Sequence, residues 1–316
     1  MLASLLEGQQ SVLAPRGPVA AEIAQTAWVL FAGAAAIFAI VLALALFAGF
    51  ARREWAGQLS EHVLIVGGGI VLPVVVLCVL LAWALLRFAD LPLASASERL
   101  LAIRVTGEQW WWRVEYLDAN GQRDFAAANE IRIPAGRPVE LRLESADVLH
   151  SFWVPALAGK LDMIPGRTNR LRVRADAPGE FRGQCAEYCG GPHALMALHV
   201  IASDPEAFER WVAAQRAPGR APADALHERG RALMLAHCAV CHTVRGTAAA
   251  GERGPDLTHF GSRRSIGAGL APVNAGTIAS WIASGQHLKP GNLMPEFAAF
   301  SGAELHALAA YLENLQ

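Results

Sequence analysis

Cys185-Ala-Glu-Tyr-Cys189-Gly-Gly-Pro-His193-Ala-Leu-Met196 gathers two thiols, an imidazole and a thioether into one short loop. A second imidazole, His150, lies upstream between two apolar, strand-like segments. Thiolate and thioether are soft donors that suit Cu(I), and imidazole suits copper in either oxidation state. With two cysteines four apart, both sulfurs can face one site while His193 and Met196 close it. One thiolate is enough for a single copper, so the second points to a copper pair bridged by both sulfurs. Such a rigid pair shares one unpaired electron and changes little on reduction. A Cys185–Cys189 disulfide and a structural zinc site are the competing readings, and zinc rarely uses methionine.

A second motif lies near the C-terminus, Cys238-Ala-Val-Cys241-His242. C-x-x-C-H marks covalent attachment of a c-type haem. Two thioethers hold the porphyrin edge and the adjacent histidine reaches the iron. No second cysteine pair follows for zinc, and no βαβ pattern surrounds the motif as a thioredoxin-like site requires. Lys289-Pro-Gly-Asn-Leu-Met294-Pro295 offers the sixth ligand, because turn residues flank Met294 and can present it to iron. His/Met ligation raises the haem potential. Met234 is the rival thioether, but it lies on the helix that enters the attachment motif. His259 and His287 are further rivals.

The rest of the chain sets these motifs in context. Its 316 residues are 53% apolar and only 17% charged, with net charge -1. That leans towards a membrane protein of about two domains, and no nucleic-acid partner is expected. Four of five cysteines fall in the two motifs, which argues against a disulfide framework. The fifth, Cys78, lies in an apolar run and reads as an inert buried thiol. Ala27 to Phe50 and Val63 to Leu86 are each long and apolar enough to span a bilayer. Neither shows the one-sided polarity of a soluble amphipathic helix. The first 25 or so residues lack the basic start, apolar core and cleavage site of a signal peptide. Arg52 and Arg53 between the two runs put that loop in the cytoplasm by the positive-inside rule. The N-terminus and everything after Arg87 then face outwards, although Arg87 partly opposes this.

Residues 91–204 read as an all-β domain. Leu101–Thr106, Glu130–Ile133, Pro138–Leu143 and Asn169–Arg174 alternate apolar and polar residues with period two. Asn120-Gly121 and Pro178-Gly179 punctuate them, and the spacing suggests a sandwich. Charges along these strands are mixed and balanced, as on a solvated face. Gln215-Arg-Ala-Pro-Gly-Arg-Ala-Pro222 is a linker, and Asp224 is the N-cap of a helix that runs to Ala236. Ser301 to Leu312 is the closing helix.

Residues 15–204 resemble cytochrome c oxidase subunit II. The resemblance is carried by the copper loop, Gly107–Tyr116 with its three tryptophans, Asp147–Pro155 around His150, and Met163–Asn169. It implies a cupredoxin-type Greek-key sandwich with a binuclear CuA centre at one end. The metal set would be His150, Cys185, Glu187, Cys189, His193 and Met196. The Glu187 carbonyl would ligate copper and its side chain would reach a magnesium ion at the partner interface, a hard cation suited to oxygen donors. Trp110 would lie over the copper and pass electrons inward, although strand tryptophans are more often packing. Trp111 stands where the family commonly has tyrosine, and Glu108 where it commonly has histidine. Asp147 and Asp162 read as structural or supporting residues. Glu61 is the candidate for a carboxylate that helps protons into the partner subunit, with a solvated helix end as the alternative. Residues 224–316 resemble a class I cytochrome c, and Gly254-Pro255 resembles the segment whose proline carbonyl accepts the proximal histidine's N–H.

The expected architecture is therefore a two-helix transmembrane hairpin (1–90), a cupredoxin-like domain (91–210), a linker (211–223) and an all-α cytochrome c domain (224–316). The resemblance implies the electron-transfer subunit of a caa-type terminal oxidase in a bacterial inner membrane, with both cofactor domains on the periplasmic face. Haem c, held by Cys238, Cys241, His242 and Met294, would feed CuA. CuA would feed subunit I, where dioxygen is reduced to water with proton translocation. Subunit III and an upstream cytochrome c or reductase complex complete the expected partners. The tether gives the donor a high effective concentration. A donor arm of a copper-containing nitric oxide reductase and a copper delivery protein are the alternatives. A quinol oxidase subunit is disfavoured because such subunits lack these copper ligands.

Overall fold

The computed structural model describes residues 8–50, 60, 62–89 and 100–316. The chain divides into two compact units, Val19–Pro92 and Met1–Pro18 with Leu93–Gln316. Arg52, Arg53 and Glu61, on which orientation and the proton-input carboxylate rest, lie outside the described residues.

The smaller unit holds two apolar helices. Helix α1 is Pro18–Phe50, 33 residues without an acidic first turn or a basic last turn. The second begins with wide turns over Val63–Val71, where the Leu72 N–H reaches the Gly67 carbonyl five residues back. It continues as α2, Leu72–Ala89. Both helices are long and apolar enough to cross a bilayer. Arg87 near the end of α2 binds Glu22 near the start of α1 at 2.9 Å, so the helices run antiparallel. Cys78 departs from expectation, since its thiol is exposed rather than buried. Apolar residues cover the helix on every side, which suits a hydrocarbon solvent and needs no protein core around the thiol.

In the larger unit, ten strands form two five-stranded sheets. They are β1 Leu101–Glu108, β2 Trp111–Leu117, β3 Arg123–Ala128, β4 Glu130–Pro134, β5 Val139–Ser145, β6 His150–Trp153, β7 Leu161–Met163, β8 Asn169–Val173, β9 Gly179–Cys185 and β10 Ala197–Ser203. One sheet runs β3-β2-β1-β5-β8 and the other β4-β10-β9-β6-β7. Pairing is antiparallel except β1 with β5 and β4 with β10. The period-two pattern is visible in burial. Ile103, Val105, Trp112, Val114, Leu141 and Leu143 are buried, while Arg104, Arg113 and Arg142 alternate outwards. A strap before α1 lies on this sandwich, with Arg16 N–H to Ala156 O at 2.7 Å and Arg182 N–H to Gln9 O at 2.9 Å.

Helix α3, Pro205–Arg216, follows β10. Its Trp211 meets Tyr116 at 5.3 Å, Phe125 at 5.6 Å and Phe208 at 5.9 Å between ring centroids. Helix α4 is Ala225–His237, and the Asp224 side chain caps it by accepting from the His227 N–H. A two-stranded ribbon (β11 Ser265–Ile266, β12 Ala271–Pro272) precedes α5 Ala275–Leu288 and α6 Gly302–Asn314. Ser301 and Glu304 form a capping box at the start of α6. Met234, Val244, Ile278, Ile282, Leu308 and Tyr311 lead a separate core among these helices.

Because Trp211 is the centre of an aromatic cluster that fixes α3 to the sandwich, Trp211→Ala should lower stability by about 2–4 kcal/mol. Denaturant unfolding followed by circular dichroism would measure it. A change too small to resolve would mean that α3 is not held by this cluster.

Candidate metal centre and haem-attachment site

The sequence folds the loop back on itself through its two flanking strands. β9 ends at Cys185 and β10 begins at Ala197, and they pair antiparallel from Ala197 opposite Gln184. The Cys185 N–H donates to the Met196 carbonyl at 2.9 Å and closes the base of the loop. Strand β6 lies beside β9, with Phe152 opposite Cys185, and the Ala186 N–H donates to the Ser151 carbonyl at 2.9 Å. His150, 35 residues earlier, is thereby brought to the sulfurs. Its ring is fully buried against Gly107, where a β-carbon would come within 2.8 Å of the imidazole.

The donors converge on the two sulfurs. Cys185 Sγ and Cys189 Sγ stand 3.8 Å apart, far beyond the roughly 2.05 Å of a disulfide. His150 Nδ1 lies 3.8 Å from Cys185 Sγ, and His193 Nδ1 lies 3.4 Å from Cys189 Sγ. Met196 Sδ is 3.9 Å from Cys189 Sγ, and the Glu187 carbonyl is 3.2 Å from Cys185 Sγ. His150, Cys185 and Cys189 are all buried, with their donor atoms within 4.8 Å of one another. The Glu187 carboxylate accepts the Tyr188 N–H at 3.2 Å.

The outer ring of contacts fixes the tautomer. Asp147 Oδ1 is 2.8 Å from His150 Nε2, so Nδ1 is the nitrogen turned to the sulfurs. Asp147 Oδ2 in turn accepts the Gln109 N–H at 2.7 Å. Asp162 contributes through its backbone, whose carbonyl accepts from Asn169 Nδ2 at 2.7 Å. Burial opposes ionisation of Cys185, but hydrogen bonds from His150 and from the backbone outweigh it and hold the thiol below its ordinary value. Burial, then the neighbouring Cys185 charge, pushes Cys189 up to about 12. A first thiolate forms readily here, and the second needs added positive charge, which a metal supplies. Two thiols, two imidazoles, a thioether and a carbonyl in a largely buried pocket are a donor set that fits copper.

Trp110 sits in the turn between β1 and β2, while Trp112 is fully buried in the sandwich and meets Phe152 edge-on at 5.8 Å. The Trp110 Nε1–H donates to the Cys189 carbonyl at 2.9 Å. Gln109 Nε2 donates to the same carbonyl at 2.8 Å, a contact for which the sequence held no signal. The indole is flanked by Gly190 of the copper loop and by Gly291 of the Met294 loop. β-Carbons there would lie 3.0 Å and 3.5 Å from its ring.

Beyond α4, Cys238 and Cys241 are free and half-buried. His242 Nδ1 lies 2.8 Å from the Pro255 carbonyl, which leaves Nε2 for iron. Burial depresses the His242 pKa despite that hydrogen bond, so the imidazole is neutral, as an iron ligand must be. These three residues fit a haem. Met294 is half-buried against the helical core. Its N–H donates to Asn292 Oδ1 at 2.9 Å and its carbonyl accepts from Gln286 at 3.0 Å. The rivals are engaged elsewhere. Met234 is fully buried in the core, His259 lies 3.2 Å from the Ala217 carbonyl, and the His287 side chain is 86% exposed.

Residues 117–203 match the cytochrome c oxidase subunit II periplasmic-domain family, and residues 227–316 match the cytochrome c family. Cytochrome c oxidase subunit 2 of Alkalihalophilus pseudofirmus is 39% identical over 251 residues, 78% of this chain and 71% of that protein. The chain belongs to the cytochrome c oxidase subunit 2 family. The Bacillus sp. PS3 subunit 2 is 30% identical over 78% of this chain and 72% of its own length. The crystal structure of the periplasmic domain of subunit II of Bradyrhizobium japonicum cytochrome oxidase is 33% identical, covering 37% of this chain and 93% of its own, with TM-score 0.34. This subunit 2 is thus a membrane-anchored component of a haem-copper oxidase, fused to a cytochrome c domain. It uses copper and haem, and it has subunit I as its partner.

Gly107→Ala should drive the new methyl group into His150 and lower copper bound per polypeptide, while covalent haem stays unchanged. Metal analysis alongside haem absorbance checks this. An unchanged copper-to-haem ratio would mean that the imbalance at Gly107 is relieved without moving His150.

Proposed function

We propose that this chain passes electrons from its own covalent haem c to a binuclear CuA centre and on to subunit I, where dioxygen is reduced to water with proton translocation. The observation that carries the reading is the ring of donors around two unbonded sulfurs 3.8 Å apart. His150, Cys185, the Glu187 carbonyl, Cys189, His193 and Met196 would hold the copper pair. Cys238, Cys241, His242 and Met294 would hold the haem. When bound, the two groups supply neighbouring one-electron carriers.

The chain's own residues do the rest. Asp147 and the Pro255 carbonyl each orient an imidazole towards its metal. Burial of both cysteines excludes water, so the surroundings reorganise little when charge changes. Trp110 is the input residue, because its ring touches the Met294 loop and its Nε1–H is bonded to the Cys189 carbonyl. The Glu187 carboxylate, on the same loop, would bind magnesium at the subunit I interface. The same reading divides the chain at 1–90, 91–210, 211–223 and 224–316, with the first linker residues up to Arg216 continuing α3, whose Trp211 packs on the sandwich. It sets the helices in the bacterial inner membrane with both cofactor domains on the periplasmic face. Subunit III and a cytochrome c or upstream reductase complete the assembly.

The purified chain should contain two copper ions and one covalent haem. One copper, or zinc in its place, would contradict the binuclear reading. Cys185→Ser should abolish oxidation of the haem through the assembled oxidase while the haem remains attached, as stopped-flow absorbance would show. Normal turnover in that variant would overturn the route.

A further inference from the structure

The chain holds only two lysines, Lys160 and Lys289, among 27 basic residues. Lys160 is exposed. Lys289 is 2% exposed. Its Nζ donates to three backbone carbonyls, Trp110 O at 2.7 Å, Leu195 O at 2.8 Å and Gly267 O at 2.8 Å. Leu195 lies in the copper loop and Trp110 in the neighbouring β1–β2 turn, whereas Gly267 and Lys289 belong to the helical region. Three acceptors around one nitrogen match the three N–H groups of an ammonium, and the planar fork of an arginine would not fit them. A side chain this buried in a chain otherwise served by arginine is not an ordinary surface cation.

The surroundings agree. Lys289 is locked at the end of α5, with its N–H on the Gly285 carbonyl at 2.9 Å. Two residues on, Gly291 has φ +83° and meets the Trp110 ring. The Ala197 N–H donates to the Ala268 carbonyl at 2.9 Å, another bond between the two regions. The Arg264 N–H donates to Glu130 Oε2 at 2.9 Å and Arg113 donates to the Glu252 carbonyl at 3.0 Å, and two exposed ion pairs lie at the rim. Arg123 binds Glu252 at 2.6 Å, and Arg264 binds Glu180. Exposed pairs of this kind contribute little and are screened by salt.

We propose that Lys289 is a positioning residue that clamps the Met294 loop onto the copper loop, keeping the fused haem donor docked beside Trp110. This rests on the electron route proposed above. Lysine is used because its ammonium satisfies carbonyls from both regions at once. Losing it would leave three part-buried carbonyls around its site without this donor. The docked arrangement would then depend on the few remaining backbone bonds, such as Ala197 N–H to Ala268 O, and on the salt-sensitive rim pairs.

The test uses the complete oxidase. One electron moves from reduced haem to oxidised copper, and its rate is followed after rapid haem reduction. In wild type the rate should be insensitive to added salt. In Lys289→Met it should fall about tenfold or more, as when a docked state drops to a tenth of its population, and fall further as salt rises. The haem potential and the copper EPR spectrum should stay as in wild type. An unchanged, salt-insensitive rate in Lys289→Met would overturn the clamp. If Cys185→Ser also transferred electrons normally, the route itself would fail, which separates the two. Should Lys289→Met not assemble, amine acylation of the native wild-type complex followed by mass spectrometry gives an independent answer. Lys160 should react and Lys289 should stay protected, and equal labelling of both would overturn the clamp.

Discussion

Two sulfurs that face each other without bonding impose the main constraint on this fold. Left alone in an oxidising compartment, thiols at this spacing are candidates for oxidation. Here the β9–β10 turn and the 3.8 Å separation keep them apart and turned to the same side. Burial makes a second negative charge costly, so Cys189 is pushed up to about 12 while Cys185 ionises first. The pocket is therefore under-charged for two free thiolates and suited to metal cations.

The sandwich supplies what that constraint requires. Only a strand adjacent to β9 can deliver a distant imidazole, and β6 does so with His150. Only a residue without a side chain can stand over that ring, and Gly107 does so. The β1–β2 turn then places one half-buried aromatic, Trp110, in hydrogen-bond contact with the loop. The helical region meets the copper domain at this place, through Gly291, Ala268 and Lys289. Packing, metal chemistry and docking thus share one small patch of backbone.

Much of this was legible in the sequence because the chemistry is local. The copper loop and the C-x-x-C-H motif are each continuous, and the period-two strands gave the sandwich its edges within a residue or two. Asp224 and Ser301 cap their helices as their residue types suggest. What was illegible depends on approach between distant segments. Gln109 joins Cys189 across 80 residues, and Lys289 joins Trp110 across 179. Neither carries a motif, although the scarcity of lysine sets Lys289 apart in the sequence. The exposure of Cys78 was illegible because an apolar run hides whether protein or lipid surrounds it. The helices also run further than the uncharged stretches alone indicated, since Glu22 and Arg87 pair with each other near their ends.

The most direct measurement is the EPR spectrum of the oxidised copper site in the purified chain. It should show hyperfine structure from one unpaired electron shared equally by two copper nuclei. Splitting by a single copper nucleus would contradict the binuclear reading.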